Sequence, residues 1–177
     1  MSVAEIEPQK SKPEWQPEVS RGFTAKQYGA EIDFDSDEYN RLLNDLGIGS
    51  ERSTLNGIEF SGYIPSTNDS DPSGLYDVEE RKIYVRILKR VGIRFALTKK
   101  RKARSPNEIN KDIIHETRHF IQHLGHLAVG EDYLLAVQQS KSGRELEKDA
   151  KEFTKEQARK YKIVRTAQLN NPKKARS

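Results

Sequence analysis

The hydrophobic positions of this chain change period along its length, and each change predicts a different element. Up to about residue 35 no period is sustained: Pro8, Pro13 and Pro17 stand among polar residues, and Glu31, Asp33, Asp35, Asp37 and Glu38 follow. Such a stretch has too little apolar surface to offset the entropy of ordering it, so residues 1–35 are expected to form a disordered arm. Tyr39, Leu42, Leu43 and Leu46 then recur at helical spacing, with Ser36 or Asp37 as cap and Gly47 as stop, which predicts a short helix over 37–46. Alternation takes over at 57–64, where Ile58 and Phe60 oppose Glu59 and Ser61. It returns at 82–88, where Ile83, Val85 and Ile87 oppose Lys82, Tyr84 and Arg86. Both stretches read as strands, 65–74 between them is rich in turn residues, and 92–97 either continues the second strand or adds a third.

Two longer helical patterns follow. Ser105 is placed to cap a helix with Pro106 at its first position and Glu108 three residues on to complete a capping box, while Gly125 and Gly130 are the available stops. Within it Ile109, Ile113, Ile114, Phe120, Ile121, Leu124 and Leu127 fill one arc of about 140°. A short helix at 131–139 bridges to a second long one at 143–164, opened by Ser142 and Glu145 as another capping box, with Leu146, Ala150, Phe153, Thr154, Ala158 and Tyr161 inward. Residues 166–177 read as a basic tail. The expectation is an α+β domain over 36–165, with a three-stranded sheet of mixed or antiparallel pairing, a helix packed beneath it and a C-terminal helix.

Chemistry is concentrated in the first long helix, because all four histidines fall inside it: His115, His119, His123 and His126. His115-Glu116-Thr117-Arg118-His119 is the HExxH pattern, and its histidines lie opposite the apolar arc. One helical turn, about 6 Å, separates residues i and i+4, so both imidazoles can reach one ion at about 2.0–2.1 Å. His126 is about 16 Å further along the axis than His115 and cannot join them. A catalytic zinc takes three protein ligands, so the third must come from elsewhere. Glu147, on the border of the inward face of the later helix, is the candidate, with Asp149 able to receive an imidazole N–H. Glu116 points about 100° away from His115 and suits the role of base. Tyr161, His123 and His126 are candidates for steadying an oxyanion, and none is preferred.

With Glu147-Lys-Asp149-Ala150 standing twenty-eight residues after His119, the chain resembles the gluzincin metallopeptidases. In size and spacing it is most similar to their minimal intracellular group, the minigluzincins and antirepressor-type peptidases. The resemblance implies a small zincin-like fold, Zn2+ on His115, His119 and Glu147, and Glu116 as general base. It also implies hydrolysis of a peptide bond in an intracellular protein substrate, and an extended substrate added to the strand that carries Tyr84 and Arg86. Arg118 stands where these proteins often have a small or apolar residue.

Composition narrows the setting. With 34% hydrophobic and 33% charged residues the core is thin for 177 residues, and with no cysteine there is no disulfide, thiolate zinc site or cysteine nucleophile. No run approaches the roughly 18 apolar residues of a membrane span, and the opening residues lack a basic and apolar leader, so the cytoplasm is the expected compartment. The net charge is +4. Five basic residues among the six from Lys99 to Arg104 could contact phosphates, which gives the competing expectation: a binding module for nucleic acid or a partner, with a structural or degenerate zinc site. The acidic arm offers a further one, covering the zinc cleft.

Overall fold

The structure, a computed structural model, describes residues 15–64, 72–91 and 100–170. The chain enters on β1 (Val19–Arg21), turns through α1 (Phe23–Gln27) into β2 (Ala30–Phe34), and then forms α2 (Ser36–Asp45) and a 3-10 turn (Ser50–Thr54). Three strands follow, β3 (Gly57–Ser61), β4 (Gly74–Asp77) and β5 (Lys82–Arg86), then a hairpin of β6 (Leu88–Val91) and β7 (Lys100–Ala103). The remainder is α3 (Pro106–Ala128), α4 (Tyr133–Gln138), α5 (Ser140–Lys160) and β8 (Val164–Leu169).

The main sheet has four strands in the order β1-β3-β5-β4, one more than the sequence suggests. β1, β3 and β5 run parallel, and β4 lies antiparallel on β5, so the pairing is mixed. β1 approaches β3 closely at Gly57, where φ is +151° and a Cβ would stand 2.5 Å from Glu18 O, a position only glycine accepts. Ile58 and Phe60 of β3 and Ile83 and Val85 of β5 turn one face to α3, which answers with Ile109, Ile113, Ile114 and Phe120, all fully buried. Tyr39, Leu42 and Leu43 of α2 belong to the same core, with Tyr39 Oη bonded to Thr117 of α3.

The arm expected over 1–35 is corrected at 15–34. β1 is part of the sheet, and β2 pairs antiparallel with β8 from Ala30↔Leu169 to Phe34↔Val164. Ala30, Ile32 and Phe34 alternate with Glu31 and Asp33, and that period is what the partner strand selects. The acidic residues are used locally rather than across a cleft: Asp35 caps α2 through Glu38 N–H (3.0 Å) and pairs with Arg165, and Glu31 accepts from Gln168 (3.0 Å). Residues 1–14 lie outside the described residues.

The expected basic tail is corrected in the same way, since 166–169 belong to β8. The last helix starts at Ser140 with Gln139 as cap and no side-chain capping bond, so the Ser142–Glu145 box is absent, and it ends at Lys160 instead of 164. Asn110 dictates that end from within α3: its Nδ2 donates to Tyr161 O (2.9 Å) and its Oδ1 accepts from Ile163 N–H (2.7 Å), which pulls the chain out of helix and into β8. The strand considered at 92–97 lies outside the described residues. Among those described, no helix is long and apolar enough to cross a membrane.

The start of α3 is as expected. Ser105 Oγ accepts from Glu108 N–H (3.2 Å) while the Glu108 carboxylate accepts from Ser105 N–H (2.8 Å). Those bonds, joined by Lys89, hold the Glu108 carboxyl down at about 2 against an ordinary 4.5. Ser105→Ala should therefore lower stability by about 1 kcal/mol, read as a urea midpoint shift at unchanged slope. A carboxyl depressed in the folded state stabilises above its unfolded pKa and loses that contribution as the pH falls. The midpoints of the parent and Glu108→Gln should accordingly converge between about pH 4.5 and 2.

Candidate metal centre

Burying Ile109, Ile113, Ile114 and Phe120 against the sheet fixes the rotation of α3, and the opposite side of the helix faces α5. His115 and His119 stand there with ring centroids 4.8 Å apart, and α5 brings Glu147 over them. The three side chains meet at single atoms: His115 Nε2 to His119 Nε2 is 3.2 Å, and Glu147 Oε2 is 3.4 and 3.3 Å from them. They form a group whose ligand atoms lie within 4.8 Å of one another, the arrangement that can hold a metal ion. Bonds of about 2.0–2.1 Å at tetrahedral angles put neighbouring ligand atoms about 3.3–3.4 Å apart, so the triangle has the size that a tetrahedral ion with bonds of that length requires.

The hydrogen bonds behind the rings give both the same tautomer. Thr154 Oγ1 donates to Ala150 O (2.7 Å), which leaves it an acceptor for His115 Nδ1–H (3.5 Å). His119 Nδ1 meets Gln122 Oε1 at 2.9 Å, an acceptor again, with Tyr133 Oη of α4 at 3.2 Å. Each imidazole thus turns a bare Nε2 lone pair toward the triangle, as metal ligation needs. The Glu147 carboxyl is held far below its usual range by His115 and His119, with Lys151 (3.1 Å) adding to them. For His119 burial opposes the charged form, but Glu147, Glu116 and Gln122 outweigh it and its pKa rises.

Glu116 lies beside the triad on the β4 side of α3, buried to 7% exposure. Burial pushes its carboxyl up to about 7, against the pull of His119 and His115 and of a hydrogen bond from Tyr76 N–H. Gly74 makes the room, since a Cβ there would stand 2.7 Å from Glu116 Oε1. Arg86 N–H donates to Ser73 O (2.9 Å), and the alternation of an antiparallel ladder then turns the backbone groups of Gly74 and Tyr76 away from β5. β4, outermost in its sheet, thus runs its free side along Glu116. Sequence reading missed this strand because four residues, Gly74–Asp77, carry too short a pattern to register.

Other expectations are redistributed. Asp149 touches no imidazole; it accepts from Arg118 (2.7 and 3.2 Å) and from Gln122 Nε2 (2.7 Å), and Arg118 lies 5.1 Å over the Phe153 ring. Arg118 therefore clasps α3 to α5 and is turned from the triad. Gln122 was missed, although a residue three after His119 on a helix shares its face and the signal was available. Tyr84 and Arg86 are not brought to the site. They sit on β5, paired on both sides by β3 and β4, and alternate with Ile83 and Val85, so their side chains lie on the sheet face away from α3. Tyr84 instead bonds Glu80 and lies under Lys82.

His123 is buried, with Nδ1 bonded to Tyr76 Oη (2.9 Å) and its ring stacked on Tyr133. His126 pairs with Glu131 (3.0 Å), and Tyr161 Oη bonds Asp45, so that hydroxyl is held at α2. Of the basic run, Lys99 lies outside the described residues. Arg104 is buried, donating to Arg86 O (2.8 Å) and pairing with Asp112, which leaves it unavailable to phosphates.

No protein-family model matches this chain, and neither does any curated protein or solved structure.

A carboxyl raised from 4.5 to about 7 in the folded state destabilises it on ionising. The unfolded chain releases this proton first, so stability falls as the pH rises through that window. Glu116→Gln removes the effect while keeping an acceptor for Tyr76 N–H. In metal-free protein its melting temperature should exceed the parent's by a margin that widens from pH 4.5 to 8, and a margin constant across that range would contradict the burial of a titrating carboxyl.

Proposed function

We propose that the chain is a zinc-dependent metallopeptidase of zincin-like architecture that hydrolyses peptide bonds in a protein substrate. The observation that carries this reading is the 3.2–3.4 Å triangle of His115 Nε2, His119 Nε2 and Glu147 Oε2, with a buried carboxyl, Glu116, in the adjoining position. An ion bound there supplies Lewis acidity, polarising a carbonyl and lowering the pKa of water toward about 7. Glu116 supplies the base: its carboxylate takes a proton from the attacking water and returns it to the leaving amine. Burial raises the affinity of this carboxylate for a proton above that of a solvated one, which suits it to the role of base.

Substrate positioning follows from β4. An extended peptide adding to the outer side of this strand would lie along Glu116, and the absence of a side chain at Gly74 keeps that approach narrow and flat. β4 thus takes the place the resemblance gave to the strand of Tyr84 and Arg86, since β5 has no open side. A chain without cysteine, carrying imidazole and carboxylate ligands only, suits a reducing compartment such as the cytoplasm.

Metal analysis of the purified protein should find one zinc per chain, and none in His119→Ala. Glu116→Gln should keep the zinc yet cleave a mixture of unstructured peptides 10²–10⁴-fold more slowly, the usual contribution of a positioned general base (about that range). Zinc retained in His119→Ala would remove the site. Zinc binding with no cleavage at all, indifferent to Glu116→Gln, would turn the reading into a structural metal module.

A further inference from the structure

The polar atoms of Gln122 are fully committed, and this settles which way its amide faces. Nε2 sends one proton to Leu146 O (2.9 Å) and the other to Asp149 Oδ2 (2.7 Å). A backbone carbonyl and a carboxylate that is itself receiving Arg118 can only accept, so a flipped amide would set oxygen against oxygen twice. Oε1 is therefore the atom at His119 Nδ1 (2.9 Å), and Nδ1 must carry the hydrogen. Tyr133 Oη reaches the same two atoms at 3.2 and 3.4 Å, and its hydroxyl can donate to Oε1 while receiving from the ring.

We propose that Gln122, oriented by Asp149 and Arg118, is the positioning residue that fixes the tautomer and ring orientation of His119 and thereby sets the affinity of the centre for its metal. The proposal deepens the metallopeptidase reading and rests on it. The relay crosses from α3 to α5 and back. Asp149 stands two residues after Glu147 on the same helix, so the carboxylate that aims Gln122 also seats the helix that delivers the third ligand. The Arg118 fork on Asp149 joins the orientation of one ligand to the placement of another. A neutral amide between carboxylate and imidazole fixes the tautomer without setting a second full negative charge against the ring.

Gln122→Met keeps the side chain's length and removes both of its hydrogen-bonding functions. Two readouts separate positioning from packing. In metal-free protein, at a pH where the rings are neutral, long-range proton–nitrogen NMR of His119 should report Nδ1–H in the parent. In Gln122→Met it should report a mixture shifted toward Nε2–H, the tautomer free imidazole prefers. Zinc affinity by chelator competition should fall about 10–100-fold, the usual cost of losing such a partner. Asp149→Ala, which leaves the contact with the ring in place but frees the amide, should move both readouts the same way as the Met variant. An unchanged His119 tautomer in Gln122→Met overturns the proposal whatever the zinc affinity, because a loss of affinity without a change of tautomer would assign the effect to packing alone. The tautomer needs no metal to be read, so absence of zinc binding by the parent would sink the peptidase reading while leaving this measurement to decide the role of Gln122.

Discussion

The packing of one side of α3 on the sheet is the constraint from which the site follows. Ile109, Ile113, Ile114 and Phe120 are removed from water completely, each worth about 1.5–3 kcal/mol of transfer free energy, so rotating the helix to expose them is prohibitive. At 100° per residue that fixes where every other side chain goes. His115 and His119 are directed at α5, Glu116 at β4, and Thr117 into the core, where its hydroxyl bonds Tyr39 Oη at 3.1 Å. The pattern His-Glu-x-x-His has chemical meaning only under that rotation. The aliphatic residues supply it.

A second helix must then be held where its Glu147 meets the two imidazoles. Ala150 and Ala158 are the buried residues of α5, and their small side chains let it come close to α3. Two polar clasps fix its position along the axis: Arg118 with Asp149 near the triad, and Asn110 with the Tyr161 and Ile163 backbone at the far end. Charge-assisted and backbone-directed hydrogen bonds are more directional than apolar contact, so they specify register where alanines alone would allow sliding. Glu147 keeps its place over the imidazoles because the Asp149 clasp lies two residues after it and the second clasp holds the C-terminal end of the helix it rides on.

Much of this was legible in the chain and some was not, for identifiable reasons. The capping box of Ser105 and Glu108, the apolar arc of α3 and the inward border position of Glu147 are local patterns, and local patterns survive into the structure. β1, β4 and β8 are not local in that sense. β8 carries Val164, Ala167 and Leu169 among polar residues and becomes a strand only because β2 lies beside it, while β4 is too short for a period to be read. In β2 the alternation of Ala30, Ile32 and Phe34 was present, but the neighbouring prolines and acids suggested an arm, and tertiary pairing overrode composition. The same distinction explains Arg118. Its type looked foreign to a pocket because sequence spacing gives the face of a residue but not the partner, here Asp149, that waits for it on another helix.

The triad itself is built against ordinary stability. Two imidazole nitrogens and a carboxylate oxygen converge within 3.4 Å, and each bare nitrogen presents a lone pair to its neighbours, while a carboxyl with little access to water lies alongside at Glu116. Nothing in protein packing favours such a cluster; a protonated imidazole relieves it in part, which is why His119 gains basicity despite its burial. A divalent cation relieves all three ligand contacts at once, and a species that binds only the folded chain adds its binding energy to folding. The aliphatic face of α3 and the two clasps of α5 must therefore be strong enough to hold the unfavourable cluster together without an ion. Ile109, Ile113, Ile114 and Phe120, which belong to the one core cluster, are supplied by the same helix that carries the histidines.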